Sequence, residues 1–122
     1  MKRVILDTNA LMAISEFKLD VFSAVERAVE GAHSLCVLEG TVIELQRIET
    51  EQRGKYRLGA KLALQLLTQK KVKVLPSEGN VDDQLAAYSA KGALILTQDA
   101  ALKKRLTKPY LTIRAKKNVI IC

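Results

Sequence analysis

Short apolar runs alternate along this chain with longer stretches in which apolar residues recur every three or four positions. Lys2–Leu6 reads as a strand without polar alternation, so both of its faces are expected to be covered. Asp7-Thr8-Asn9 reads as the polar stop after it. Phe17, Val21, Ala24, Val25 and Ala28 fall at helical spacing, and Gly31 ends that helix. Ser34–Leu38 is a second strand, and Thr41–Thr50 a helix that turns Val42, Leu45 and Ile48 inward. Glu51–Tyr56 is polar and contains Gly54, hence a loop or a fraying helix end. Leu58, Leu62 and Leu66 mark a further helix reaching about Lys70.

The second half repeats the alternation. Val72–Leu75 is a strand closed by Pro76, and Ser77–Val81 a turn. Asp82–Lys91 is a helix with Leu85 and Tyr88 inward, ended by Gly92. Ala93–Thr97 is wholly uncharged and reads as a buried strand, followed by a helix over Asp99–Leu106. Tyr110–Ile113 forms another strand, and Asn118–Cys122 adds an edge. Strands that alternate with helices and carry little charge predict an α/β fold: a mostly parallel sheet covered on both faces, joined by right-handed crossovers. No repeat, linker or low-complexity tract divides residues 1–122, so one domain is expected.

Composition narrows the class. An apolar share of 48% in 122 residues is enough for a real core and argues against disorder. No apolar run approaches the length of a membrane span. Met1-Lys2-Arg3 leads into only three apolar residues before Asp7, unlike a secretory signal, and a cytoplasmic protein is the expectation. Cys36 and Cys122 have no metal-ligand spacing, which argues against zinc and suits a reducing compartment.

Charge adds more. Twenty Lys and Arg against thirteen Asp and Glu leave +7, and the cations are segregated. Lys103, Lys104, Arg105, Lys108, Arg114, Lys116 and Lys117 follow one another without an intervening acid. Arg47, Arg53, Lys55, Arg57 and Lys61 surround the expected loop. Solvated surface is one reading of such clusters, and a footprint for a phosphate backbone is the other.

The acidic residues carry the chemistry. In open α/β sheets, sites form beyond the carboxyl ends of strands. Of only five aspartates, Asp7 follows the first strand, Asp82 and Asp83 open the helix after the third, and Asp99 follows the fourth; Asp20 is the exception. Glu44 lies one helical turn beyond the second strand. Gathering scarce carboxylates in a basic protein costs repulsion, which a hard cation such as Mg²⁺ or Mn²⁺ offsets through oxygen ligands. Structural roles compete for each position. Asp7 suits a turn, and Thr41-x-x-Glu44 has the form of a capping box. Asp82 or Asp83, and Asp99, suit helix N-termini. Asn9 is a cap or a donor beside the acids, and Thr97 either orients Asp99 or ends its strand. His33, the only histidine, falls in a polar turn and is expected at the surface, leaving no histidine general base. Spacing alone does not separate a nuclease from a phosphatase or a phosphoacceptor domain, although Asp-x-Asp, Walker A and dinucleotide glycine motifs are absent.

Taken with their neighbours, these residues resemble the PIN-domain ribonuclease family. The matching stretches are Val4-Ile5-Leu6-Asp7-Thr8-Asn9, Thr41-Val42-Ile43-Glu44-Leu45, Asp82-Asp83-Gln84-Leu85-Ala86 and Ala93-Leu94-Ile95-Leu96-Thr97-Gln98-Asp99, which span essentially the whole chain. The resemblance implies a three-layer α/β/α sandwich around a five-stranded parallel sheet. It places the acidic positions on Asp7, Glu44, Asp82 and Asp99, with Asp82 preferred over Asp83 by register. The family's frequent asparagine before the last acid is Gln98 here. The Asp-Asp pair and Lys103–Arg105 look more like the archaeal and ribosomal-RNA-processing branches than the toxins of toxin–antitoxin pairs, which share the same acids.

That likeness further implies one or two Mg²⁺ or Mn²⁺ ions, held chiefly by Asp7 and Asp99 with Glu44 and Asp82 beside them. The expected activity is metal-dependent hydrolysis of RNA to a 5′-phosphate and a 3′-hydroxyl. Lys103, Lys104, Arg105, Arg53 and Arg57 are the expected backbone contacts. A homodimer, an antitoxin or an RNA-processing protein are the implied partners, with no membrane. Two phenylalanines, three tyrosines and no tryptophan leave little expectation of base stacking. The rivals are a non-catalytic RNA-binding scaffold of the same fold and a phosphatase or receiver-type domain.

Overall fold

A computed structural model describes all 122 residues. Six strands form one sheet in the order β3-β2-β1-β4-β5-β6. They are β1 (Lys2–Leu6), β2 (His33–Leu38), β3 (Lys73–Leu75), β4 (Leu94–Leu96), β5 (Leu111–Arg114) and β6 (Asn118–Ile121). The helices are α1 (Thr8–Glu16), α2 (Val21–Ala28), α3 (Glu39–Glu51), α4 (Gly54–Gln69), α5 (Val81–Ala90) and the short α6 (Ala100–Lys103).

Successive strand residues point to opposite faces, and that period of two sorts the core. Val4, Leu6, Val37, Leu94 and Leu96 pack with α1 to α4 in the larger cluster. Ile5, Cys36, Leu38 and Ile95 pack with Leu85 of α5 and Leu102 of α6 in the smaller one. The α/β/α sandwich is therefore as expected. Val4, Ile5 and Leu6 have no exposed surface, which is why the first strand takes the middle of the sheet.

Four expectations are corrected. The sheet has six strands, because β6 pairs antiparallel with β5 from Arg114↔Asn118 to Leu111↔Ile121. The connection of residues 115–117 is too short for a parallel crossover, and a hairpin is the only return it permits. Asp7-Thr8-Asn9 is a helix start: Asp7 caps α1, and Ala10, Leu11, Ala13 and Ile14 form its buried face. Phe17 is the residue that closes α1, outside the helix containing Val21 and Val25. The Asp99–Leu106 helix shrinks to one turn, after which the backbone leaves the helix toward β5.

Cys36 is buried on β2 and Cys122 exposed beyond β6; three strands separate them, so no bridge joins them. No helix is long and apolar enough to cross a membrane.

Candidate active site

The chain winds from β1 through β2 to β3 on one side of the sheet, then crosses to β4 on the other flank of β1. The gap at the carboxyl ends of β1 and β4 is thus the point where the winding reverses, where open α/β sheets leave a crevice. Asp7 and Asp99 follow those two strands. The backbone N–H of Asp7 donates to the carbonyl of Leu96 at 3.0 Å, so the β1–β4 pairing extends up to the first acid.

A cleft of about 920 Å³ opens there. Asp7, Glu44, Asp82 and Asp99 all line it, together with Thr8, Asn9 and Gln98. Glu44 reaches it from α3, which starts two residues before the sequence suggested. Gly40 allows this start: its N–H donates to Ser77 Oγ at 2.9 Å, and a Cβ there would meet Val81 Cγ2 at 2.6 Å. That close approach joins the first turn of α3 to the first turn of α5 and brings Glu44 and Asp82 to the same cleft. No capping box forms, and Thr41 Oγ1 lies buried without a hydrogen-bond partner. Nor do Asp82 and Asp83 cap α5; Asn80 does, accepting from Asp83 N at 3.0 Å.

Thr97 and Asn9 fix the acids. Thr97 Oγ1 donates to Asp7 Oδ2 at 2.8 Å and accepts from the N–H of Asp99 at 3.1 Å. Asn9 Oδ1 accepts from Gln98 N at 3.0 Å. Gln98 thus serves this turn through its backbone, whatever its side chain does in the cleft. Asp7 Oδ1 accepts from Thr8 N, while Asp99 Oδ1 accepts from Ala101 and Leu102 N and caps α6. Asp99 Oδ2 receives no protein donor, so capping and facing the cleft are shared between its two oxygens.

Burial pushes the Asp7 carboxyl above its ordinary value of 3.8; the bonds from Thr97 and Thr8 oppose this, and the charges of Asp82 and Glu44 reinforce it. The cleft has no ion pair to relieve that repulsion. The two ion pairs of the chain are His33–Glu26 and Arg105–Asp83. No three acidic, histidine or cysteine side chains stand close enough to enclose an ion alone. An all-oxygen rim of this open kind fits Mg²⁺ or Mn²⁺, which keep several waters or substrate oxygens in their shell, and does not fit zinc.

A family model described as a PIN like domain matches residues 4–116. The chain belongs to the PIN-like domain family. Ribonuclease VapC4 of Methanocaldococcus jannaschii is 27% identical over 125 residues, spanning 96% of this chain and 94% of that protein. Ribonuclease VapC9 of Archaeoglobus fulgidus is 30% identical over 101 residues, 83% of this chain and 73% of that one. A solved structure of the PIN domain endonuclease Utp24 shares the fold, with a TM-score of 0.77 at 22% identity over 98% of this chain and 90% of that chain.

In this PIN-like domain the other sequence candidates lie apart from the cleft. Asp83 pairs with Arg105 at 2.6 Å on the surface. Lys103 and Lys104 end α6, and Arg53 and Arg57 are exposed around the start of α4; none of them lines the cleft. Lys55 and Tyr56 line it instead, as do Met12, Ser15, Glu16, Phe17, Ile48 and Gln52. The signal for these was present: residues 44, 48 and 52 share one helical face with Glu44, as do 12 and 16 with Thr8. His33 is no turn residue. It begins β2 with its side chain 6% exposed, its ring nitrogens 3.0 Å from Gly31 O and from Glu26, at the opposite end of the strand from the acids.

Proposed function

We propose that this chain is a Mg²⁺- or Mn²⁺-dependent endoribonuclease that hydrolyses phosphodiester bonds. The supporting observation is the meeting of four carboxylates, Asp7, Glu44, Asp82 and Asp99, from four separated segments on one cleft with no ion-pairing side chain among them. In a chain of net charge +7, that concentration of negative charge is the feature a bound cation explains best. RNA is the proposed substrate because both curated relatives bear the name ribonuclease.

Asp7 and Asp99 are the proposed principal ligands, with Glu44 and Asp82 completing the acidic rim. When bound, the cation supplies charge to the phosphoryl oxygens in the transition state and makes water acidic enough to attack without a histidine base. Thr97 holds the Asp7 carboxylate in one orientation and, through the Asp99 N–H, sets it relative to the second acid. Asn9 pins the turn that carries Asp99. Lys103 and Lys104, just beyond that turn, are the proposed contacts to the backbone outside the cleft. Attack by water in line with the O3′ oxygen breaks the P–O3′ bond, leaves a 5′-phosphate and a 3′-hydroxyl, and makes no use of the substrate's 2′-hydroxyl.

The test is Mn²⁺-dependent cleavage of single-stranded RNA. The wild-type chain should cleave, EDTA should stop it, and Asp7→Asn should abolish it with the circular dichroism spectrum unchanged. Full activity of Asp7→Asn overturns the site, and activity in EDTA overturns the metal. RNA binding without cleavage or measurable cation binding by calorimetry would instead identify a scaffold of the same fold.

A further inference from the structure

The cleft continues well beyond the carboxylates. Glu44, Ile48 and Gln52 line it at four-residue steps along α3, a run of about 12 Å of helix. On α1 the lining runs in the same way from Asn9 past Met12 to Phe17. Both rows end where α4 begins, at Lys55 and Tyr56. Two aromatic rings meet the cleft there, and each has a lysine over it. Lys55 Nζ lies 5.5 Å from the centroid of Tyr56, and Lys116 Nζ lies 5.5 Å from that of Phe17.

Tyr56 is 55% exposed and its hydroxyl has no hydrogen-bond partner on the chain, whereas Phe17 packs against the core. Burial therefore accounts for Phe17 and leaves Tyr56 unexplained as a structural residue. An exposed ring beside an ammonium in a nucleic-acid cleft offers a stacking surface for a base and a counter-charge for the adjoining phosphate. Glu16 is the one acidic residue lining this end, opposite in sign to Lys55.

We propose that Tyr56 and Lys55 form a subsite for an unpaired base of the RNA strand whose scissile phosphate lies among the four acids, with Phe17 lining the same end of the cleft. This deepens the ribonuclease reading and rests on it. The subsite accepts only an unpaired base, because a base held in a duplex cannot offer its face to Tyr56. It gives the protein a preference for single-stranded RNA without readout of base edges.

Binding is measured with the full chain in EDTA, so that nothing is cleaved, using an unpaired RNA carrying 2-aminopurine. Wild type and Tyr56→Phe should bind alike and quench the fluorophore at one position in the strand. Tyr56→Ala should bind about tenfold more weakly, the usual scale for losing one base–aromatic stack. An abasic nucleotide at the quenched position should remove the penalty of Tyr56→Ala, which a merely structural role for Tyr56 would not allow. Equal binding by Tyr56→Ala, or a penalty that persists with the abasic site at every position, overturns the subsite. Cleavage with Mn²⁺ then separates the two readings. Quenching without cleavage preserves the subsite and refutes the nuclease, and cleavage with no effect of Tyr56→Ala does the reverse. A wild-type chain that binds no RNA in EDTA overturns the subsite, and one that also fails to cleave with Mn²⁺ overturns both.

Discussion

Thr97 Oγ1 lies 2.8 Å from Asp7 Oδ2, across 90 residues of sequence, and neither residue is more than 7% exposed. A hydroxyl has one proton, and this geometry commits it to Asp7, since Asn9 Oδ1 stands farther off at 3.4 Å. The bond is one of two that hold the Asp7 carboxyl down against the upward push of its burial. Thr97→Val keeps the shape and removes the donor. The Asp7 carboxyl should then titrate higher, and the acid limb of the pH–rate profile for cleavage should move to higher pH. Thr97→Ser should restore the profile. A stability loss of about 1 kcal/mol is expected alongside. An unshifted acid limb in Thr97→Val would show that the hydroxyl does not set the state of Asp7.

Asp7 itself should be a burden on the cation-free fold. Its pKa is raised in the folded state, so the folded chain holds that proton more tightly than the unfolded chain does. Stability therefore falls as pH rises from the ordinary value of 3.8 through the raised one, and the penalty is complete above it. At pH 7 in EDTA, Asp7→Asn should melt a few degrees higher than wild type while losing cleavage. Mn²⁺ should raise the melting point of wild type and do little for the variant. A lower melting point for Asp7→Asn in EDTA would contradict this reading.

The sheet layers were legible because Val4-Ile5-Leu6 and Leu94-Ile95-Leu96 are apolar on both faces, a pattern that surface strands do not show. Asp7 and Asp99 were legible from their places after those runs. Less was readable around them. Asp7-Thr8-Asn9 looked like a stop because polar residues in a row mark a loop and an N-cap equally well, although Ala10, Leu11, Ala13 and Ile14 already carried the helical spacing. The capping box at Thr41 failed because α3 already begins at Glu39 with Leu38 as its N-cap, which puts Thr41 inside the first turn; the bond from Gly40 N–H to Ser77, 37 residues away, accompanies that start and no local pattern records it. Tyr56 went unread because composition counts aromatic residues without saying where they meet.

His33 should make stability depend on pH in a different window. The carbonyl of Gly31 and then the Glu26 carboxylate raise its pKa above 6.5, outweighing the opposing effect of burial. Its contribution is complete below 6.5 and is lost as pH rises through the raised value. The stability gap between wild type and His33→Asn should be open at pH 6 and close toward pH 9. Because Glu26 is 61% exposed, the gap should stay under about 1 kcal/mol. A gap that widens with pH would reverse the assignment.

Asp82 and Asp83 are neighbours with different surroundings. Asp82 faces the cleft, whereas Asp83 meets Arg105 on the surface, where the two side chains are 62% and 47% exposed. Asp82→Asn should lower cleavage by about tenfold or more. Asp83→Asn should leave it nearly unchanged and cost under about 1 kcal/mol of stability. Equal losses from both, measured as kcat/KM on the same RNA, would mean that the two carboxylates act together.

The place of β1 in the middle of the sheet has a consequence for the timing of synthesis. Asp7 leaves the ribosome about 90 residues ahead of the Leu96 carbonyl that fixes its backbone and the Thr97 hydroxyl that fixes its side chain. Until β4 emerges and slides in beside β1, the nascent chain has its first acid but no crevice to hold it in.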